Sequence, residues 1–239
     1  MAVLYNKVAL IGLGLSAGSL SLAIRKHGLA GQVAGYAKTA ETRRIAAEID
    51  LCDVICDTVA EAVKDADLVV LCVPVGAMAT VMAEIAPHLK KGAIVSDVGS
   101  VKRATIEAVT PLLPEGVTFI PAHPLAGTEH SGPKSGFPEL FENRWCLFTP
   151  LEGTDPQDLK RLEDLWKGVG ANLSEMDPDH HDLVLAVTSH VPHLIAYTMV
   201  GGPDDLSLVT EQEVIQYPAA GCPDFTRTAA SDQTMCRAV

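Results

Sequence analysis

One stretch near the start of the chain, VALIGLGLSAGSLSLAIRK (residues 8–26), restricts the fold more than any other. An apolar run ends at Gly12, and Gly12, Gly14 and Ala17 then follow at G-x-G-x-x-A spacing as a helix-like pattern opens. A strand, a tight glycine turn and a helix N-terminus in that order form a phosphate cradle. The first glycine permits the turn, the second lets a pyrophosphate approach the backbone, and the small third residue lets helix and strand pack closely. The unpaired N–H groups of the first helical turn supply partial positive charge for the phosphates. Gly12, Gly14, Leu15 and Ala17 are therefore the first candidate cofactor-binding residues.

Such a cradle belongs to a doubly wound sheet, and the next 130 or so residues repeat the required alternation. Strands are expected at KVALIG, QVAGYA, DLVVLCV, GAIVSDV, GVTFIPA and RWCLFTP. Helices are expected over Ser16–His27, Ala40–Glu48, Ala77–Ala86 and Lys102–Val109. Strands apolar on both faces, alternating with helices, predict a mostly parallel α/β sheet of Rossmann type, covered on both sides. After Pro150 the pattern changes. DPQDLKRLEDLWKGVG is amphipathic, ANLSEM is a short strand candidate, and DPDHHDLVLAVTSHVPHLIAYTMVG reads as one long helix. Asp177 can cap that helix, with Pro178 at its first position. The expected division is residues 1–176 as a dinucleotide-binding domain and 177–239 as a smaller helical domain.

Composition excludes several alternatives. The net charge of −12 and the lack of a basic cluster argue against a nucleic-acid partner. The apolar run at residues 68–83 is interrupted by Pro74 and Gly76, which suits a buried strand entering a helix better than a membrane span. The N-terminus fits a strand and turn better than a secretory signal. Cys52, Cys56, Cys72, Cys146, Cys222 and Cys236 show no framework spacing, as expected for reduced structural thiols in a cytoplasmic protein.

The second strand ends GYAKTAETRR, with Ala37 and Lys38 where an acid would bind the ribose hydroxyls of NAD. The missing acid, with Lys38, Arg43 and Arg44 nearby, tilts the reading from NAD toward NADP; Arg43 and Arg44 can equally be a solvated helix face. Ligands of an open α/β sheet collect beyond the carboxyl ends of its strands. Val73 and Pro74, the stretch Ser96–Ser100, and His123 all fall at such ends. A lone histidine after a strand is commonly structural, but Ser100 and Lys102 at a neighbouring strand end favour a catalytic reading.

Several blocks, taken in order, carry a resemblance: GLGLSAGSLSLAIRK, SDVGSVK, HPLAGTEHSGP, LFENRWCLFTP, DPDHHDLVLAVTSHVPHLIAY and DFTRTAASD. Together they resemble the prephenate/arogenate dehydrogenases of tyrosine biosynthesis, from Lys7 to the last residue. The resemblance implies oxidation of a cyclohexadienol with loss of its ring carboxylate and hydride transfer to NAD or NADP. It implies His123 as the hydrogen-bonding acceptor of the substrate hydroxyl, supported by Ser100. It also implies His193 and the Arg227 of DFTR as substrate-binding residues, with His190 near the same helix face. Thr128 and Glu129, in the loop after His123, orient or gate the site on this reading, or are simply loop residues facing solvent. A homodimer through the helical domain is implied as well. No metal is expected, because His180, His181, His190 and His193 lack an acid or cysteine to complete a ligand set.

Two departures from the family pattern stand out. Ser16-Ala17-Gly18-Ser19 replaces the usual Ile-Gly-Gly-Ser, and the chain resembles a C-terminally shortened member, with Cys236 where tryptophan is common. Two further readings stay open: a dinucleotide-binding remnant without turnover, and a dehydrogenase or reductase of the β-hydroxyacid type. The latter relies on a lysine where this chain carries His190 and His193.

Overall fold

The computed structural model describes residues 3–128 and 130–201. Its main sheet is built from β1 (Tyr5–Ile11), β2 (Ala30–Tyr36), β3 (Val54–Ile55), β4 (Leu68–Leu71), β5 (Ile94–Asp97) and β6 (Thr118–Ile120). All neighbours are parallel, in the order β3-β2-β1-β4-β5-β6, the doubly wound arrangement of a Rossmann fold. The central strands β1 and β4 bury almost every residue from Val8 to Leu71 that they contribute, which explains their continuous apolar runs. The helices are α1 (Leu15–His27), α2 (Ala40–Glu48), α3 (Val59–Val63), α4 (Met78–Ile85) and α5 (Arg103–Val109). One apolar cluster, with Leu10, Leu20, Ile24 and Trp166, lies on one face of the sheet; a second, with Ile11, Leu71, Met82 and Val109, lies on the other.

Two short elements were not expected from the pattern, β3 and α3. Two residues of strand carry no readable alternation, whereas α3 does carry a capping box between Thr58 and Glu61.

GVTFIPA does not form one strand. Pro121 has no N–H to donate, so the ladder stops there and the chain changes partners. Before it, Thr118–Ile120 pairs with β5; after it, β7 (Ala122–Pro124) pairs antiparallel with β8 (Trp145–Phe148). β9 (Asn172–Glu175) adds to β8 in parallel, so β7, β8 and β9 form a separate three-stranded sheet. RWCLFTP and ANLSEM are thus strands, but of this second sheet. Between them, α6 (Pro156–Gly168) is capped by Asp155 and buries Leu162, Leu165 and Trp166.

The expected long helix carries an irregularity. α7 (Pro178–Leu185) runs into a π-helical turn at Ala186–His190 and continues as α8 (Val191–Gly201). Pro192 accounts for it: its ring cannot donate to the carbonyl four residues earlier, and the widened turn relieves the clash. No helix among the described residues is long and apolar enough to cross a membrane. The described cysteines Cys52, Cys56, Cys72 and Cys146 are all free thiols, and burial pushes Cys52 up to about 11. Cys222 and Cys236 lie outside the described residues.

Candidate active site

The dinucleotide cradle follows from three glycine and alanine positions. Gly12 has φ +98°, and a Cβ there would stand 2.5 Å from the Cys72 carbonyl oxygen and 2.9 Å from Val73 Cγ1. The ends of β1 and β4 therefore meet at a point only glycine can occupy. Gly14 is the reverse case: nothing lies within 4 Å of its added Cβ. No side chain caps α1 and no acid sits in its first turn, so the N–H groups at Leu15 and its neighbours keep their capacity for an anion. Ala17 is fully buried against the sheet. These features fit a dinucleotide pyrophosphate. Val73, half-buried, and Pro74, exposed, lie at the adjacent strand end.

The cations near the second strand divide. Arg44 pairs with Glu41 and Glu48 along α2 and is a solvated face. Arg43 folds back to donate to the Ala37 and Lys38 carbonyls at 2.8 and 3.2 Å, with its guanidinium over the Tyr36 ring. Lys38 is exposed, next to Thr39, whose hydroxyl caps α2.

At the carboxyl end of β5, Asp97 and Lys102 form a fully buried ion pair, 2.6 Å apart. The Asp97 carboxylate also accepts the Gly99 and Ala122 N–H groups, while the Lys102 ammonium donates to the Ala122 carbonyl at 2.7 Å. Burial pushes the acid up and the ammonium down, and their mutual attraction and the hydrogen bonds to Gly99 and Ala122 oppose both shifts. Lys102 was expected beside the ligand with Ser100; its ammonium instead turns inward. The pair holds both backbone polar groups of Ala122, the residue before His123.

His123 lies in β7, one strand pairing past the Pro121 break and opposite Leu147, with 8% of its surface exposed. Its Nδ1 is 2.9 Å from Nε2 of the fully buried His181 on α7. The other His181 nitrogen, Nδ1, is 2.8 Å from Asp182 Oδ1. The Asp182 carboxylate in turn accepts the Lys102 and Arg103 N–H groups at 2.7 and 3.0 Å, capping α5 across the gap between elements. Burial holds His123 well below the usual histidine range, and the Lys102 charge and the His181 and His190 rings push it the same way. Burial likewise lowers His181, opposed by Asp182. Burial works to raise the Asp182 carboxyl, but the two N–H groups and the His181 ring outweigh it and hold it low.

The remaining candidates gather around this chain to different degrees. His190 sits in the π turn, half-buried, close enough to act on His123, and its Nε2 is buried without a partner. Burial lowers it, with Asp182 opposing and His193 adding. His193 donates Nδ1–H to the Ser189 carbonyl at 2.8 Å, leaving its Nε2 as the other functional nitrogen. Ser100 is half-buried in the turn between β5 and α5. Thr128 is exposed, and its hydroxyl accepts the His130 N–H. Glu129 and Arg227 lie outside the described residues. Among the described residues no group of three or more histidine, cysteine or acidic side chains is arranged to hold a metal.

Sequence reasoning overlooked Asp97 and Asp182 and considered His181 only as a metal ligand. The one available signal was Asp182 directly after His181, since a carboxylate beside an imidazole can fix its tautomer. It also missed the strap that follows the loop: Gly136 packs backbone to backbone on α1, where its Cβ would be 2.9 Å from Gly18 C and Ser19 N. The Phe137 N–H donates to the Ser19 hydroxyl beside it.

A glycine cradle at the switch point of a doubly wound sheet defines the class, a nucleotide-binding fold, with the buried His123 beyond the carboxyl ends of neighbouring strands. Comparison with known proteins narrows the class. Residues 20–175 match the family "Prephenate dehydrogenase, nucleotide-binding domain", and residues 177–239 match "Prephenate dehydrogenase, dimerization domain". The chain belongs to the prephenate dehydrogenase family. It is 40% identical to the cyclohexadienyl dehydrogenase of Zymomonas mobilis, over 95% of this chain and 78% of that protein. It is 32% identical to the prephenate dehydrogenase of Bacillus subtilis, over 97% of this chain but 62% of that protein. The structure of prephenate dehydrogenase from A. aeolicus in complex with hydroxyphenyl propionate and NAD+ superposes with a TM-score of 0.88 at 31% identity, covering 97% and 80% of the two chains. Arogenate dehydrogenase of Synechocystis superposes at 0.78 with 27% identity, covering 97% and 81%. A Mycobacterium tuberculosis 3-hydroxyisobutyrate dehydrogenase, 14% identical with a TM-score of 0.63 over 91% of this chain and 75% of that one, shares the fold alone.

Proposed function

We propose that this chain is a cytoplasmic, nicotinamide-dependent dehydrogenase that oxidatively decarboxylates prephenate, arogenate or both, the step leading to 4-hydroxyphenylpyruvate or tyrosine. The observation that carries the reading is His123, a buried neutral ring next to the carboxyl ends of β5 and β6 in a sheet whose switch point is built as a dinucleotide cradle. The names of its relatives support it.

The chain's residues divide the chemistry as follows. Gly12, Gly14, Leu15 and Ala17 bind the pyrophosphate, and Val73 and Pro74 bound the nicotinamide end. The bound nicotinamide supplies the hydride acceptor. His123 takes the proton of the ring hydroxyl as hydride leaves the same carbon, with Ser100 supporting the hydroxyl. The bond to the ring carboxylate then breaks, its electron pair completes the aromatic ring, and carbon dioxide leaves. The imidazolium returns its proton to the phenolate oxygen, so no net proton is released. Carboxylates of the substrate meet His193 and Arg227, with His190, Thr128 and Glu129 around them.

Lys38 at the end of β2, in the absence of an acid there, favours NADP over NAD. The division at residues 176 and 177 and a homodimer through the helical region belong to the same reading. The β-hydroxyacid alternative needs a lysine between residues 177 and 201, and that segment has none.

The test is a paired assay of prephenate and arogenate against NAD and NADP, followed at the reduced-nicotinamide absorbance. A substrate-dependent rise supports the proposal. Cofactor binding with no turnover of either substrate overturns it in favour of a non-catalytic dinucleotide binder.

A further inference from the structure

The hydrogen-bonded series Asp182–His181–His123 fixes where the protons are. A carboxylate can only accept, so the His181 Nδ1 facing Asp182 Oδ1 at 2.8 Å carries the hydrogen. The reverse tautomer would set two lone pairs against each other at that distance. Burial keeps His181 neutral, so its Nε2 is then an acceptor. His123 Nδ1, 2.9 Å from that Nε2, must therefore donate. The lone pair of His123 is left on Nε2.

We propose that His181 and Asp182 are positioning residues that hold His123 as the Nε2-acceptor tautomer and support its imidazolium when it takes up a proton. The arrangement is that of a carboxylate orienting a catalytic histidine, with a second imidazole inserted between them. The insertion lets a carboxylate that caps α5 act on a ring in a different sheet. The Asp182 charge is itself fixed by the Lys102 and Arg103 N–H groups. Lys102 also belongs to the ion pair that grips Ala122, so ring and backbone of the β7 site are set by one connected network. The docking of α7 onto α5 thereby decides the tautomer of His123.

The inference rests on His123 being the proton acceptor of the proposed reaction, but its first test does not depend on turnover. Nitrogen-15 NMR of the full chain with labelled histidines, assigned by comparison with His123→Asn, reads the tautomer directly. The expected result is a protonated Nδ1 and a bare Nε2 on His123. A hydrogen on Nε2 in the unliganded protein overturns the proposal, whatever the substrate proves to be.

The second test uses Asp182→Asn, which keeps an oxygen for the α5 cap, and His181→Phe, which keeps the packing volume. Both are expected to lower kcat about tenfold or more, with KM and cofactor affinity little changed, and short of the loss from removing the base itself. The exposed His180→Asn serves as the control with unaltered kinetics. Groups facing His123 and His181 are each other, His190 from the π turn, Lys102 and Asp97 from the β5 end, Cys146 from β8, and Asp182. Of these only the Asp182 charge is lost in Asp182→Asn. Its loss disfavours the imidazolium, so the acid limb of kcat/KM moves to lower pH by on the order of 0.5–1 unit. A merely structural role would leave that limb in place; a stationary limb with normal kcat overturns the proposal.

Discussion

His123 illustrates how much a single side chain depends on its neighbours. Imidazole is the one ordinary side chain able to take and return a proton near neutral pH, but burial as deep as that of His123 weakens its basicity. On the proposed arrangement the Asp182 carboxylate, acting through the hydrogen bond of the neutral His181, offsets part of that loss. Replacing the ring by Asn is expected to lower turnover about 10²–10⁴-fold with near-normal cofactor affinity, read by steady-state kinetics and a dinucleotide titration. The Asp97–Lys102 pair makes a different prediction. Lys102→Met leaves a buried carboxylate without its counter-ion and is expected to cost about 3–5 kcal/mol in chemical denaturation. A loss under 1 kcal/mol would mean that Asp97 is satisfied by backbone N–H groups alone.

Elements show where local sequence signals end. The cradle was readable because strand, turn and helix signals fall within one continuous stretch, and the structure gives Gly12 both a positive φ and a blocked Cβ direction. Gly12→Ala should therefore weaken dinucleotide binding about tenfold or more, a difference of about 1.4 kcal/mol or above. Fluorescence titration with reduced cofactor would detect it. The change of sheet at Pro121 was readable in part. Proline ends a ladder, but nothing local says that the next three residues will pair with a strand more than twenty positions on. The π turn is similar: Pro192 signals a disturbed helix, while the closeness of His190 to His123 depends on how α7 docks. The strap over α1 follows from two small residues, Gly18 and Gly136, that are distant in sequence. Gly136→Ala is expected to loosen the loop after His123, raising its hydrogen-exchange rate and lowering the thermal midpoint.

On the scale of the whole molecule, acidity and burial combine in the response to pH. His123 sits well below the ordinary histidine value in the native protein, so between about pH 6.5 and its folded value the unfolded chain binds a proton that the native one does not. Stability then falls as pH drops, by up to about 1.4 kcal/mol per pH unit for this one ring. His181 and His190 shift in the same direction and add to the slope. Asp182, held low, adds its own loss only at pH values below the ordinary carboxylate range. Denaturation curves at pH 7.0, 6.0 and 5.5 should show the decline, and His123→Asn should flatten it. A pH-independent midpoint across that range would show that the histidine cluster is solvated in the native state.

The sequence by itself determined the doubly wound parallel sheet, the glycine cradle and the helical change after Asp177, because each rests on periodicity or on residues near one another in the chain. Tertiary structure alone decided that Lys102 turns inward, that β7 leaves the main sheet, and that Asp182 reaches His123 through His181. Those outcomes depend on which distant elements share a desolvated space. There, a buried charge or ring nitrogen must find a partner from another part of the chain, and no local pattern records which one it finds.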